Sequence, residues 1–360
     1  SLGSLGVEYG SKIDSLNGMT TPEPELLHRT LAKLEQSGVT HCALEASSHG
    51  LAQHRLDGVE IRSGAFLNIS HDHMDYHKDW KAYKKAKERL FGEVIEAGSD
   101  AVLNIDDLQI KSFVNICKER KHHIIFFGRN KGDIKLLAHR SDKFKQYVSI
   151  DLLGQKYDLE LPFPGKFQVY NLLAALGLAI TNGMSPSDVV RNIPKLSSVK
   201  GRLELIAQTS TGAHIFVDYA HTPDALLAAL KSLRLNRKGR LIVLFGCGGN
   251  RDTEKRPQMG KIASDLADVS IITDDNPRFE APETIRKEVL EACPNGIEIE
   301  DRGKAISSAI GDLKNNDVLL IAGKGYEQGQ SIKGQILPFN DEQMVRDILA
   351  KNYLISRGSK

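Results

Sequence analysis

At 360 residues the chain has room for roughly two domains of about 100 to 200 residues, which excludes a single small binding module. Hydrophobic residues at 41% and charged residues at 26% are ordinary globular proportions and exclude long disorder or a fibrous repeat. Lys and Arg (48) nearly balance Asp and Glu (46), and a formal net charge of +2 gives no electrostatic ground for a nucleic-acid or membrane-surface partner.

In chain order, Pro22 to Gln36 reads as a helix, Val39 to Glu45 and Gly64 to Ile69 as strands, and Trp80 to Glu96 as a helix. Ala101 to Ile105 and His123 to Phe127 read as further strands, Tyr147 to Leu161 alternates around Gly154 like a hairpin, and Phe167 to Ile180 reads as a helix. Its apolar part, Leu172 to Ile180, is the longest such run and is far short of the ~20 residues that span a bilayer; a soluble cytoplasmic protein is expected. Polar residues from Ser197 to Gly201 mark a linker, dividing the chain into 1–200 and 201–360.

Beyond the linker the alternation is regular. Strands Arg240 to Phe245, Asp268 to Thr273, Ile297 to Glu300 and Asp317 to Ala322 are separated by helices Pro257 to Ala267, Pro282 to Ala292 and Lys304 to Leu313. Such a series implies right-handed crossovers and a parallel sheet, with ligands at the carboxyl ends of its strands. Loops Gly246 to Arg251, Asp274 to Arg278 and Gly323 to Glu327 all lie at such ends. The cysteines Cys42, Cys117, Cys247 and Cys293 are scattered without a CxxC pair and read as reduced thiols.

Four stretches carry candidate chemistry. His71-Asp72-His73-Met74-Asp75-Tyr76-His77 follows a strand; by composition it suits a polar surface loop, but with Glu45 at a neighbouring strand end it also suits a hard divalent ion that keeps most of its waters. Lys87 lies on the apolar face of its helix with Tyr83, Leu90 and Phe91, which fits either a lysine snorkelling to water or a desolvated, reactive amine. Thr20 and Glu23 have capping-box spacing, with Pro22 near the first turn, and the hydroxyls there could also hold an anionic group. Gly246-Cys247-Gly248-Gly249-Asn250-Arg251 suits a tight turn; Arg251 stands where a dinucleotide fingerprint needs its third glycine.

Taken together, TTPE, LEASSHGLAQHR, NISHDHMDYH, YKKAKERLF, FPGKFQVYNLLAA, KGRLE, VDYAHTPDAL, FGCGGNRDTEKRP, TDDNPR and AGKGYE resemble the Mur ligase family, in order and over almost the whole chain. The resemblance is to the branch that adds the third peptide residue in peptidoglycan-precursor synthesis. It implies an α/β fold with a central mononucleotide-binding sheet domain over 1–200, incomplete at its N-terminus, and a Rossmann-like C-terminal domain over 201–360. The implied reaction is ATP-dependent amide ligation of meso-diaminopimelate to UDP-MurNAc-L-Ala-D-Glu through an acyl phosphate, with Mg2+ and a monomeric enzyme.

By position, Glu45, His73 and a carbamate on Lys87 match the magnesium ligands; Lys87 and His221 count as catalytic. Thr20, Thr21, Ser47, Gln53 and Arg55 match contacts to the UDP-linked dipeptide, and Arg202, Asp218, Tyr219 and His221 match the ATP-facing segment, with Arg202 at the hinge. Arg251, Asp275, Asn276, Arg278, Gly323 and Glu327 match the pocket for the incoming amino acid. Arg278 can pair with the second carboxylate of diaminopimelate, which lysine lacks, so lysine-adding specificity is the lesser alternative.

The family's GKGHE is GKGYE here, with Tyr326 replacing histidine. The family's Gly-rich phosphate loop and UDP-binding domain would precede Ser1, so the chain is expected to be a fragment, inactive by itself, with closure about Arg202 assembling the intact site. The rivals are a related ligase such as folylpolyglutamate synthetase, a dehydrogenase built on the Gly246 loop, and a noncatalytic binder retaining only the amino-acid pocket.

Overall fold

A computed structural model of the chain describes residues 1–358 other than Ser11, Ser15, Asn17 and His71. They form two compact units: Ser1–Ala138 with Ser149–Asp158 and Tyr170–Asn192, and His139–Val148 with Leu159–Val169 and Ile193–Lys360. No helix among the described residues is long and apolar enough to cross a membrane.

In the first unit, strands Ser63–Phe66, Asp100–Asn104 and His123–Arg129 pair in parallel, and the last pairs in parallel with Ile134–Asp142. Lys145–Leu152 and Gln155–Leu161 extend the same sheet, whose stretches His139–Val148 and Leu159–Leu161 are counted with the second unit. The turns at Lys143-Phe144 and Leu153-Gly154 have positive φ at both residues, the mirror-image turn geometry that matches strand twist. The hairpin around Gly154 is therefore where its alternation placed it.

Val39 to Glu45 is not a ladder strand. Among the described residues only Leu44 forms a parallel bridge, to Leu2, through Leu2 N–H to Ala43 O and Glu45 N–H to Leu2 O. The apolar run is thus held at one point, and a small antiparallel sheet of Leu2–Gly3, Gly6–Tyr9 and Lys12–Asp14 supplies the neighbouring backbone. The helix Pro24–Gln36 starts two residues later than expected. Pro24 takes the first-turn position, Glu23 is the cap residue without a side-chain cap bond, and Thr20 is too far upstream to close a capping box.

The helix beginning at Trp80 stays α-helical only to Arg89; Leu90–Val94 widen into a π-turn that buries Leu90 and Phe91. They join Leu27, Leu51, Leu56, Phe66 and Phe113 in the core of this unit. Phe66 stacks on Phe113 at 3.9 Å, anchoring the first strand to the helix Ile110–Glu119.

The second unit is a six-stranded sheet in the order Glu204–Gln208, His214–Asp218, Val318–Ala322, Leu241–Phe245, Val269–Ile272, Ile297–Glu298. All but the first edge strand are parallel. Leu241–Phe245 and Val318–Ala322 are buried throughout, as expected for central parallel strands covered on both faces. The sequence pattern placed the last four strands; it passed over Glu204–Gln208, His214–Asp218 and the helix Pro223–Arg234, capped by Thr222.

Candidate active site

In the first unit, Glu45 sits at a crossing of short segments. Ser4 Oγ donates to its Oε2 at 2.8 Å and lies 3.1 Å from Thr20 Oγ1. Thr21 Oγ1 donates to Glu45 O at 2.8 Å and accepts from Ser47 N at 3.0 Å, while Ser47 Oγ caps the next helix by accepting from Gly50 N. Arg55 donates to Thr21 O at 2.8 Å, pairs with Glu23 at 3.0 Å and hydrogen-bonds Gln53, whose amide donates to Tyr76 OH at 2.7 Å. Thr20, Thr21, Glu45, Ser47, Gln53 and Arg55 are thus one hydrogen-bonded group. Gly3 and Gly50 leave no room for a Cβ, which would meet the Glu45 carboxylate at 2.4 Å or Thr21 at 2.6 Å.

The histidine motif closes around this group through rings. His49 lies 4.8 Å from His73, 4.1 Å from Tyr76 and 5.7 Å from His77, and Tyr83 lies 5.3 Å from His77. His77 meets Ser48 Oγ at 3.0 Å; burial first, then electrostatic opposition from His73 and Lys87, holds it below the usual histidine pKa, against Asp75. His73 has φ of +58°, a left-handed backbone that costs energy outside glycine. His71 lies outside the described residues.

Lys87 is half-buried, and desolvation pulls its amine below the ordinary lysine pKa, opposed by Asp72 and Glu45. This sits on the desolvated side of the two sequence alternatives. Asp72, named in the motif but given no role, faces both Lys87 and Tyr83 electrostatically; burial, then Asp72, pushes Tyr83 up to about 12. No group of three or more His, Cys, Asp or Glu among the described residues is placed to hold a metal ion. Glu45 and His73 by themselves therefore offer an incomplete set of donors.

In the second unit, the nucleotide candidates follow the strand His214–Asp218. Asp218 accepts from Leu203 N at 2.6 Å and Ala220 N at 2.7 Å, yet burial dominates and raises its carboxyl to about 6, against those bonds and Arg202. The Arg202 guanidinium covers the Tyr219 ring at 4.5 Å, and Tyr219 stacks on Tyr326 at 5.2 Å. His221 Nδ1 lies 2.9 Å from Tyr219 O, and Lys255 donates to His221 O.

The loops after Phe245, Ile272 and Ala322 build the remaining group. Gly246 and Gly249 fit only as glycines, since a Cβ would come within 2.2 Å of Thr273 O or 2.1 Å of Pro277 O. Arg278, with φ of +55°, donates to Gly249 O at 2.9 Å, and its backbone exchanges hydrogen bonds with the hairpin at Ser331 and Lys333. Asn276 Nδ2 donates to Glu327 Oε2 at 2.9 Å. Asp275 is buried, and its Oδ2 has no hydrogen-bond partner among the described residues; a Cβ on Gly323 would come within 2.8 Å of that oxygen. Arg251 is exposed on the neighbouring loop. Beneath them the fully buried Arg256 pairs with Glu280 at 2.7 Å and Glu288 at 2.8 Å and donates to Gly248 O, joining the two loops.

The Mur ligase middle domain family matches residues 2–179, and the Mur ligase, glutamate ligase domain family matches residues 201–325. A protein of Rhizobium meliloti (strain 1021) named UDP-N-acetylmuramoyl-L-alanyl-D-glutamate--2,6-diaminopimelate ligase is 45% identical over 354 residues, covering 97% of this chain and 71% of its own. A solved structure of a protein of that name aligns with TM-score 0.66 at 33% identity, over 98% of this chain and 72% of the other. Mycobacterium tuberculosis folylpolyglutamate synthase, solved with ADP and AMPPCP, aligns at TM-score 0.61 but 18% identity, over 74% and 62% of the two chains, a likeness of fold alone. With close relatives along nearly its full length and two domain families matched in sequence order, this chain belongs to the Mur ligase family.

Proposed function

We propose that the chain carries the amine-donor and acceptor-activating machinery of an ATP-dependent ligase that joins meso-diaminopimelate to UDP-MurNAc-L-Ala-D-Glu. The observation that carries the reading is the buried Asp275 carboxylate, whose Oδ2 has no partner among the described residues, in the same loop as Arg278. A buried acceptor left unpaired costs stability unless a ligand pairs it, and an ammonium is the matching donor. With Arg278 for a carboxylate and Glu327 for a second ammonium contact, the loops suit a zwitterionic amino acid bearing a further carboxyl group.

In the first unit, Thr20, Thr21, Ser47, Gln53 and Arg55 are assigned to the UDP-linked dipeptide, with Arg55 as its cation. Glu45 and His73, joined by a carbamate on Lys87, fit magnesium: one carboxylate, one imidazole and one carbamate leave positions for water and phosphate oxygens. Bound there, the ion would neutralise phosphoryl charge. Forming the carbamate requires a neutral amine, and burial of Lys87 favours that form. Arg202, Asp218, Tyr219 and His221 are assigned to ATP.

The acyl phosphate on the D-glutamyl carboxylate loses phosphate when the amine nitrogen attacks its carbonyl carbon. Asp275 and Glu327 would orient the diacid, and Arg278 would reject a side chain ending in a bare ammonium. Calorimetry of the purified chain with meso-diaminopimelate and L-lysine tests the reading. Saturable binding of the diacid at least about tenfold tighter than lysine is expected; equal affinities, or no binding of the diacid, would sink it.

A further inference from the structure

Behind the candidate amino-acid pocket, Lys324 has a fully buried side chain. Its Nζ donates to Glu327 Oε2 at 2.7 Å and to Asn276 Oδ1 at 3.2 Å. Asn276 Oδ1 also accepts from Ser331 N at 2.8 Å, and its Nδ2 donates to the same Glu327 oxygen. Two donors aimed at one side of the amide and a carboxylate at the other fix its orientation, because a flip would set NH2 against an ammonium and an N–H. Glu327 Oε2 takes both of these bonds, and among the described residues none is made by Oε1 or by the second Nδ2 hydrogen, which a ligand could use.

A lysine buried this completely is uncommon, and here its ammonium faces a carboxylate that a ligand amine would also use. Without Lys324 the Glu327 carboxylate would lose its buried counter-charge and Asn276 one of the two donors holding its oxygen. Resting on the reading of this pocket as the diaminopimelate site, we propose that Lys324 is a positioning residue for the amine donor. Acting through Glu327 and Asn276, it presents a carboxylate oxygen and an amide N–H to the ammonium and carboxylate of one amino-acid centre, while Arg278 addresses the other end.

The test is a double-mutant cycle on the chain, with meso-diaminopimelate titrated calorimetrically into Lys324→Met, Glu327→Gln and the double variant. Each single change should weaken binding about tenfold or more, the usual scale for a charged hydrogen bond, and the double should be no weaker than the worse single. Losses that multiply in the double variant, or a Lys324→Met chain that binds normally, would overturn the proposal. Failure of the unmutated chain to bind would instead remove the pocket reading on which it rests. Should the variants not fold, Nζ-labelled unmutated chain decides: a slowly exchanging buried ammonium signal should move when the diacid saturates, and an unmoved or missing signal overturns the role.

Discussion

Gly249 approaches Pro277 so closely that a Cβ on the glycine would lie 2.1 Å from the Pro277 carbonyl oxygen. The glycine N–H also donates to Asn276 O at 2.9 Å, so the two loops are joined by backbone on both sides of the contact. Gly249→Ala must push the Asp274 to Arg278 loop away from its place. Affinity for meso-diaminopimelate should fall about tenfold or more, as expected when a site is displaced by a fraction of an ångström. Unchanged calorimetric affinity would show that the loop is not part of the pocket.

Arg278→Ala separates the two ends of the ligand. Loss of a charge-assisted carboxylate pair costs about 2 kcal/mol, roughly a thirtyfold drop in diaminopimelate affinity. L-lysine, whose terminal ammonium this guanidinium repels in the proposed pose, should bind as tightly as before or more so, and the variant should lose its discrimination. A parallel loss for both ligands would move Arg278 to the shared amino-acid end.

Lys87 is expected to form a carbamate: its neutral nitrogen bonds to the carbon of CO2, a proton leaves, and an anion replaces the amine. Chain equilibrated with 13C-labelled bicarbonate should show a carbamate carbon signal that is missing in Lys87→Met. An identical spectrum from both proteins would assign the depressed amine pKa to burial with no chemical consequence.

Asp218 should leave a pH signature on stability. Its folded-state carboxyl titrates at about 6 against an ordinary 3.8, so the folded chain holds its proton more tightly than the unfolded chain. The stabilisation is therefore complete below pH 3.8 and is lost as pH rises to 6, to the extent of about 3 kcal/mol. Asp218→Asn removes the titration, so the melting-temperature advantage of the unmutated chain should be largest near pH 4 and shrink towards pH 7. A difference that stays flat with pH contradicts the raised value.

Arg302 and Asp341 form a fully buried ion pair at 2.7 Å, and Arg302 also donates to Ala322 O. Arg302→Met leaves the Asp341 carboxylate buried and unpaired, a change worth about 3 to 5 kcal/mol in denaturant unfolding. A loss below about 1 kcal/mol would mean that water reaches the carboxylate.

The sequence was most legible where pattern and chemistry coincide. Buried parallel strands such as Leu241–Phe245 and Val318–Ala322 are unbroken apolar runs, and the loops after them carry the glycines and charged residues of the proposed pocket. Val39 to Glu45 shows the limit: it has a strand's composition, but pairing depends on a distant partner, and Leu2 supplies a single bridge. Thr20 failed as a cap because a proline two residues downstream of Pro22 sets the helix start. Lys324 and Arg256 carried no signal as site components, since a lysine in a loop and an arginine in a helix look solvent-exposed until their burial is seen. Asp72 was in view within its motif, yet only the fold sets it against Lys87.

The glycine loop, the Asp274 to Arg278 loop and the segment from Gly323 onwards all leave the carboxyl ends of strands in a single sheet, and Arg256 ties the first of them, at Gly248 O, to Glu280 just past the second. On the proposed assignment, choice of amine donor is a property of one module, decided within less than a hundred consecutive positions. A lineage could exchange the diacid for another amino acid by rewriting those turns, leaving the apparatus that energises the acceptor untouched.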